Sequence, residues 1–271
     1  MKKIAVISDM SGYGRCSLTV ALPIISALGV QCCPVPTVIL SSHTGYDDVF
    51  FDDYSKNTSE YMQKWENINL EFDGYLTGFF ASANQIDNIY DILKNKQQSV
   101  IIVDPIMADN GKLYSSYTMD MVDSLKNLCN ISDILLPNLT EACILTGTPY
   151  EPDDISTEKL VEICEKLTND KNVKICITGI VKNDEILNFL YINGEYKIIK
   201  VPKIGEIRCG TGDVFASVVS AGVILGESML DCVLKATNFI SQTLKVSIDE
   251  DILNGICFEK TLVKIGDFNE N

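Results

Sequence analysis

Short runs of consecutive apolar residues alternate along the chain with longer stretches whose apolar positions recur at helical spacing. Continuous apolar runs mark strands buried on both faces, and i, i+3, i+4 spacing marks helices packed by one face. The pattern predicts strands over residues 3–8, 35–40, 74–77, 100–104, 134–136 and 173–178. It predicts helices over residues 16–28, 58–65, 84–94, 119–128, 140–146 and 157–167, the first ended by Gly29. The rhythm then changes: residues 186–192 and 196–201 flank Asn193-Gly194, a dipeptide suited to the positive φ angles of a tight hairpin. Helices over 213–225 and 229–246 close the chain. Such β–α alternation predicts an α/β fold with a mainly parallel sheet covered on both faces. No linker, repeat or low-complexity stretch interrupts it, so a single domain over residues 1–271 is expected, with only residues 268–271 reading as disordered.

Composition narrows the function classes. The chain is 46% apolar and 22% charged, enough for a large core. Its 22 basic against 37 acidic side chains leave a net charge of −15, which disfavours nucleic acid and anionic membranes as partners. A phosphate-bearing ligand would need positive potential concentrated locally, from helix N-termini or Mg²⁺. The 10 cysteines include no Cys-x-x-Cys pair, and most lie among apolar neighbours, as in Lys174-Ile175-Cys176-Ile177. They read as buried thiols of a reducing, cytoplasmic compartment rather than a zinc or disulfide framework. Lys2-Lys3 before an apolar run imitates a secretory leader, but Ser8-Asp9 cuts the run short, and no stretch approaches a membrane span.

The candidate chemistry sits at strand ends. Gly12-Tyr13-Gly14-Arg15-Cys16-Ser17 follows the first strand, yet residues 32–36 supply no acid to hold a ribose, which rejects a dinucleotide loop. The glycines fit either close approach to a ligand or a plain strand-to-helix turn. Gly210-Thr211-Gly212-Asp213 opens an apolar helix: the glycines let successive N–H groups converge on an anion, and the carboxylate can take a hydroxyl proton beside it. A first-turn Asp can also simply complement the helix dipole. No Gly-x-x-x-x-Gly-Lys-Ser/Thr loop is present. Asn138 and Glu141, three apart after a strand, suit Mg²⁺ through water or, equally, a helix cap. Asp104 ends an apolar strand and needs a partner for its charge, Mg²⁺ or a monovalent cation near phosphate being one. Asp109-Asn110-Gly111 reads as a turn or lid edge. Ser41-Ser42-His43-Thr44-Gly45-Tyr46 holds the only histidine, a structural group or a contact to a polar heteroaromatic ligand.

In this order the motifs resemble the ribokinase-like superfamily over nearly the whole chain, and within it the vitamin B6 kinases. The resemblance implies a three-layer α/β/α sandwich around a central, mostly parallel sheet. It also implies transfer of the ATP γ-phosphoryl group to the 5-hydroxymethyl oxygen of pyridoxal, pyridoxamine or pyridoxine. Asp213 is then the base, with Gly210, Thr211 and Gly212 as the anion hole. Asp104, Asp109, Asn138, Glu141 and Thr178 belong to the side of the ATP phosphates and cation, with Asp104 and Glu141 on Mg²⁺, directly or through water. Asp9, Ser11, His43, Thr44 and Phe79 belong to the vitamin side. Phe79 stands in a Thr77-Gly78-Phe79 segment that resembles a family Thr-Gly-Tyr run, so a hydroxyl is missing there. A homodimer and activation by K⁺ are further expectations from the family. Ser8-Asp9-Met10-Ser11-Gly12 looks more like the related hydroxymethylpyrimidine kinases, which often carry Cys where Asp213 stands and lack His-Thr-Gly. That kinase is the alternative substrate reading. A non-catalytic small-molecule sensor on the same fold is the alternative of another class.

Overall fold

The computed structural model describes residues 1–168 and 172–265. In chain order the elements are β1 (Lys3–Ser11), α1 (Ser17–Ala27), β2 (Gln31–Leu40), β3 (Phe51–Asp53), α2 (Ser55–Asn67), β4 (Gly74–Thr77), α3 (Ala83–Leu93) and β5 (Val100–Val103). Then come β6 (Ala108–Asp109), β7 (Lys112–Leu113), α4 (Met119–Cys129), β8 (Ile134–Leu135), α5 (Leu139–Thr146) and α6 (Thr157–Thr168). Strands β9 (Lys174–Lys182), β10 (Glu185–Ile192) and β11 (Glu195–Pro202) precede α7 (Thr211–Ile224) and α8 (Met229–Ser247). Every helix and strand expected from periodicity is present, within a few residues at the ends. The expectation of disorder over residues 268–271 lies outside the described residues.

The chain divides into two compact units. The first comprises the described parts of Met1–Gly78 and Ile204–Asn271, the second Phe79–Lys203. In the first, β1 pairs in parallel with β2 and with β4, and β3 joins the edge of β2 antiparallel. Ile4 to Ile7 are fully buried, as a strand covered on both faces requires. Pro34 and Pro36 lie within β2 without breaking it. Their carbonyls accept from the Tyr61 and Thr58 hydroxyls of α2 instead of from a neighbouring strand, so no ladder partner misses their absent N–H groups. α7 is apolar nearly all round and buried along its length. At Gly222 a Cβ would lie 2.6 Å from Cys232 Sγ, so glycine lets α7 and α8 approach closely.

In the second unit β5, β8 and β9 pair in parallel, and β9, β10 and β11 continue antiparallel. The β10–β11 turn is Asn193-Gly194, with φ of 54° and 83°. Residues 109–111 form the turn that the sequence predicts: Asn110 and Gly111, with φ of 49° and 77°, join β6 to β7. Strands this short show no alternation, so β3, β6 and β7 leave no periodic signal.

Candidate active site

Gly210 caps the start of α7 at φ 82°, and a Cβ there would lie 1.8 Å from the Arg15 carbonyl oxygen. Only glycine fits between the two loops. The Thr211 hydroxyl donates to the Arg208 carbonyl at 2.9 Å, and the Ile256 amide to the Cys209 carbonyl at 3.2 Å, pinning the turn from both sides. The cap residue, having no side chain, caps none of the first-turn amides; the Asp213 amide faces its own carboxylate, and the turn before it is left for an anion.

Asp213 stands in that first turn. Burial of its carboxyl, with Asp9 as a like charge nearby, pushes its pKa up to about 7. Asp9 is itself buried, and desolvation raises its pKa too. Its two oxygens accept from the Ser17 hydroxyl at 2.5 Å and the Ser11 hydroxyl at 2.8 Å. Asp9 and Ser11 therefore pair with each other.

The 41–46 loop is locked by its histidine. His43 Nδ1 accepts from the Gly45 amide at 3.1 Å, so Nε2 carries the proton and donates to the Leu253 carbonyl at 2.7 Å. The ring lies so close to Gly14 and Gly45 that a Cβ at either would stand 2.3 Å and 2.8 Å from it. Both ring nitrogens thus serve the backbone, the structural option of the two left open by sequence. Thr44 is exposed. The residue 251–256 segment is held from several loops: the Tyr13 hydroxyl donates to Asn254 Oδ1 at 2.8 Å and Arg15 to the Asn254 carbonyl at 2.9 Å. Arg208, buried, donates to the Glu250 and Asp251 carbonyls at 2.8 and 2.9 Å. Beside Arg208 opens a cavity of about 470 Å³, walled by Ile204, Leu244, Ile248 and Ile252 with Glu206 and Asp251 at its polar parts.

The second unit carries the remaining candidates. Asn138 and Glu141 form a full capping box at the start of α5: the Glu141 amide donates to Asn138 Oδ1 at 2.9 Å and the Asn138 amide to Glu141 Oε2 at 2.8 Å. Glu141 Oε1 accepts from the Met107 amide at 3.2 Å, and Asn138 Nδ2 donates to the Ala108 carbonyl at 2.8 Å. These bonds tie the segment after Asp104 to α5. Burial pushes the Glu141 carboxyl up to about 8 despite the amides that favour its charge. Asp104 is buried, and Asp109 is exposed with Asn110 as its partner. Thr178 bridges to Asn138, and the following Gly179, at φ 68°, donates to Asn188 Oδ1 at 3.2 Å. Phe79 is buried, its ring edge-on to Tyr117 at 5.6 Å. Carboxylate oxygens such as those of Asp104 and Glu141 fit a hard cation, but the amides on Glu141 leave it room for a metal chiefly through water.

Sequence reasoning missed Ser17, Arg208, Asn188 and the cavity. One signal was available for Arg208: the chain has only two arginines, Arg15 and Arg208, and each flanks a glycine motif.

An α/β chain that opens a buried helix with an uncapped glycine turn and a raised-pKa carboxylate is built as a phosphate-handling enzyme of the ribokinase-like class. The chain belongs to the Phosphomethylpyrimidine kinase family, whose profile matches residues 22–255. The solved structure of pyridoxal kinase from Lactobacillus plantarum is similar with a TM-score of 0.92 at 27% identity, covering 100% of this chain and 98% of that one. A protein from Bacteroides thetaiotaomicron VPI-5482, provisionally named a phosphomethylpyrimidine kinase and crystallised with pyridoxal, gives a TM-score of 0.92 at 34% identity, over 97% and 95% of the two chains. The hydroxymethylpyrimidine/phosphomethylpyrimidine kinase of Aquifex aeolicus is 26% identical over 179 residues, 64% of this chain and 68% of that protein. The family resemblance read from the motifs is borne out. Among the described residues no helix is long and apolar enough to cross a membrane.

Proposed function

We propose that this chain is an ATP-dependent kinase that phosphorylates the 5-hydroxymethyl group of a B6 vitamer. The observation that carries the reading is Asp213, a carboxylate poised near neutrality beside uncapped amides. It takes the proton of the hydroxymethyl oxygen as that oxygen bonds to the γ-phosphorus. The bond from the γ-phosphorus to the β–γ bridging oxygen breaks, and ADP leaves. The α7 amides, with Gly210, Thr211 and Gly212, hold the charge that spreads over the transferring group. The purine lodges in the cavity beside Arg208. Asp104, Asp109, Asn138, Glu141 and Thr178 handle the phosphate side. Mg²⁺, when bound, neutralises phosphate charge, with Asp104 and Glu141 holding it, the latter through water. Asp9 and Ser11 act on the vitamin side through Asp213 more than by direct contact, and Thr44 and Phe79 line that side.

The likeness to a pyridoxal kinase across the whole chain and to a protein crystallised with pyridoxal supports the vitamin over the pyrimidine. The family profile and the Ser8-Asp9-Met10-Ser11-Gly12 run favour hydroxymethylpyrimidine as the second reading. A sensor that only binds has no use for a base. We further propose a single working domain over residues 1–271, a homodimer in the cytoplasm, and activation by K⁺. The test is a coupled ADP-release assay with pyridoxal, pyridoxamine, pyridoxine and hydroxymethylpyrimidine. The best vitamer is expected to give the highest kcat/KM. Preference for the pyrimidine overturns the vitamin assignment, and absence of turnover with all four overturns the kinase.

A further inference from the structure

We infer that Ser17 is a positioning residue for phosphoryl transfer: held in a left-handed backbone conformation, it joins the buried Asp9 carboxylate to Asp213. The inference rests on Asp213 being the base proposed above.

Ser17 opens α1 at φ 52°, directly after an extended Cys16. For a residue with a Cβ this conformation costs about 1–2 kcal/mol, and it persists where the surroundings demand it. Helix capping does not demand it, because Cys16 makes no side-chain cap to α1. The conformation instead spreads one residue between two acids. The Ser17 hydroxyl donates to Asp9 Oδ1 at 2.5 Å, and its backbone favours the charged form of Asp213, in the turn whose Gly210 packs against the Arg15 carbonyl. Glycine would adopt the same φ without strain but would bring no hydroxyl. The strain is therefore matched to the hydroxyl that reaches Asp9 Oδ1.

Asp9 is 4% exposed, with a serine hydroxyl on each oxygen, an arrangement suited to a buried negative charge. The titratable groups that act on Asp213 are Asp9 from β1 and Cys16 from the loop before α1, and Cys16 in turn meets Cys209 from the loop before α7. The Cys16 thiol donates to Cys209, and this bond together with burial pushes its pKa up and keeps it protonated. Arg15 is committed to Glu259 and the Asn254 carbonyl, and Arg208 to backbone carbonyls of residues 248–251. Asp9 is thus the charge that Asp213 meets, and Ser17 favours that charge while orienting the base.

The test is the pH profile of kcat at saturating substrates for the parent, Asp9→Asn, Ser17→Ala, Ser17→Gly and the Asp9→Asn/Ser17→Ala double variant. The base works unprotonated, so activity rises with pH through its titration. Neutralising Asp9 removes a like charge and moves this acidic limb down by about one pH unit. Ser17→Ala and Ser17→Gly weaken the charged form of Asp9, so each moves the limb the same way by less. The double variant then coincides with Asp9→Asn, because the hydroxyl has no charge left to support. Ser17→Gly relieves the backbone and carries the test if Ser17→Ala does not fold. Acidic limbs that stay at the parent position in both Ser17 variants, or shifts that add in the double variant, overturn the inference. Near-parent kcat in Asp213→Asn overturns the base reading itself.

Discussion

The starts of α5 and α7 carry the same local signal and are built to opposite ends. Each helix has an acid at its third position, Glu141 after the cap residue Asn138 and Asp213 after the cap residue Gly210. At α5 the cap residue has a side chain and the acid is long enough to turn back, so each satisfies an amide of the other. The helix start is consumed by its own structure. At α7 the cap residue has no side chain, and no side-chain cap forms. No cap side chain competes with an anion for the amides ahead of Asp213, and the acid does not turn back to cap the residue three before it. The difference teaches that an acid in a first helical turn says little until the residue three before it is known to cap or not.

The sharpest way to break this comparison is Asp213→Asn. The expected loss is about 10²-fold or more in kcat with little change in substrate KM, the signature of a missing general base. Stability moves the other way. The folded-state pKa of about 7 lies above the ordinary 3.8, so the folded protein binds the extra proton between these values and loses stability as pH rises through that window. The asparagine variant escapes that loss. Its Tm at pH 8 is expected at or above the parent's, read by thermal melts across pH 5–8. A near-parent kcat, or a Tm deficit that grows with pH, sinks the assignment.

Glu141→Ala probes the other helix start and has a smaller expected effect of a different kind. It frees the Asn138 and Met107 amides, at a cost of about 1–2 kcal/mol in stability. It also loosens the segment after Asp104, so KM for Mg-ATP is expected to rise several-fold more than KM for the vitamer. Unchanged melting would show that the box carries no load, and equal Mg²⁺ dependence in variant and parent would remove Glu141 from the phosphate side.

The same contrast explains what was legible in the sequence. Periodicity located the strands and helices because buried parallel strands need continuous apolar runs, and the capping option at Asn138 and Glu141 is a relation within one turn. The glycines at 210 and 212 announced a turn for the same local reason. The clasp on residues 251–256 was invisible. His43 reaches Leu253 and Tyr13 reaches Asn254 across more than 200 residues of chain, and neither contact leaves a trace in either local sequence. Ser17 was equally hidden: nothing in its neighbours announces a left-handed φ or a hydroxyl bond to the buried Asp9. The histidine read as a possible ligand contact because its type is chemically versatile. Only the occupancy of both ring nitrogens shows its structural employment.

That employment sets the last and smallest expected effect. With His43 bound to backbone on both sides and Ser42 buried, Thr44 is the exposed polar member of its loop. Both substrate readings share a hydroxymethyl group, so the anion cradle and Asp213 serve either and cannot discriminate. Discrimination falls to groups that read the rest of the ring. The B6 ring carries a phenolic oxygen that the pyrimidine lacks, and losing one polar partner to such a group changes specificity by about tenfold or less when solvent can substitute. Thr44→Val keeps the shape and removes the hydroxyl. The ratio of kcat/KM for the best vitamer over hydroxymethylpyrimidine is therefore expected to narrow severalfold, through the vitamer's KM, with kcat nearly constant because the base is untouched. Competition assays with both substrates present would measure the ratio directly. A ratio that stays at the parent value places the discrimination elsewhere, with the buried Phe79 and Tyr117 pair the next residues to examine.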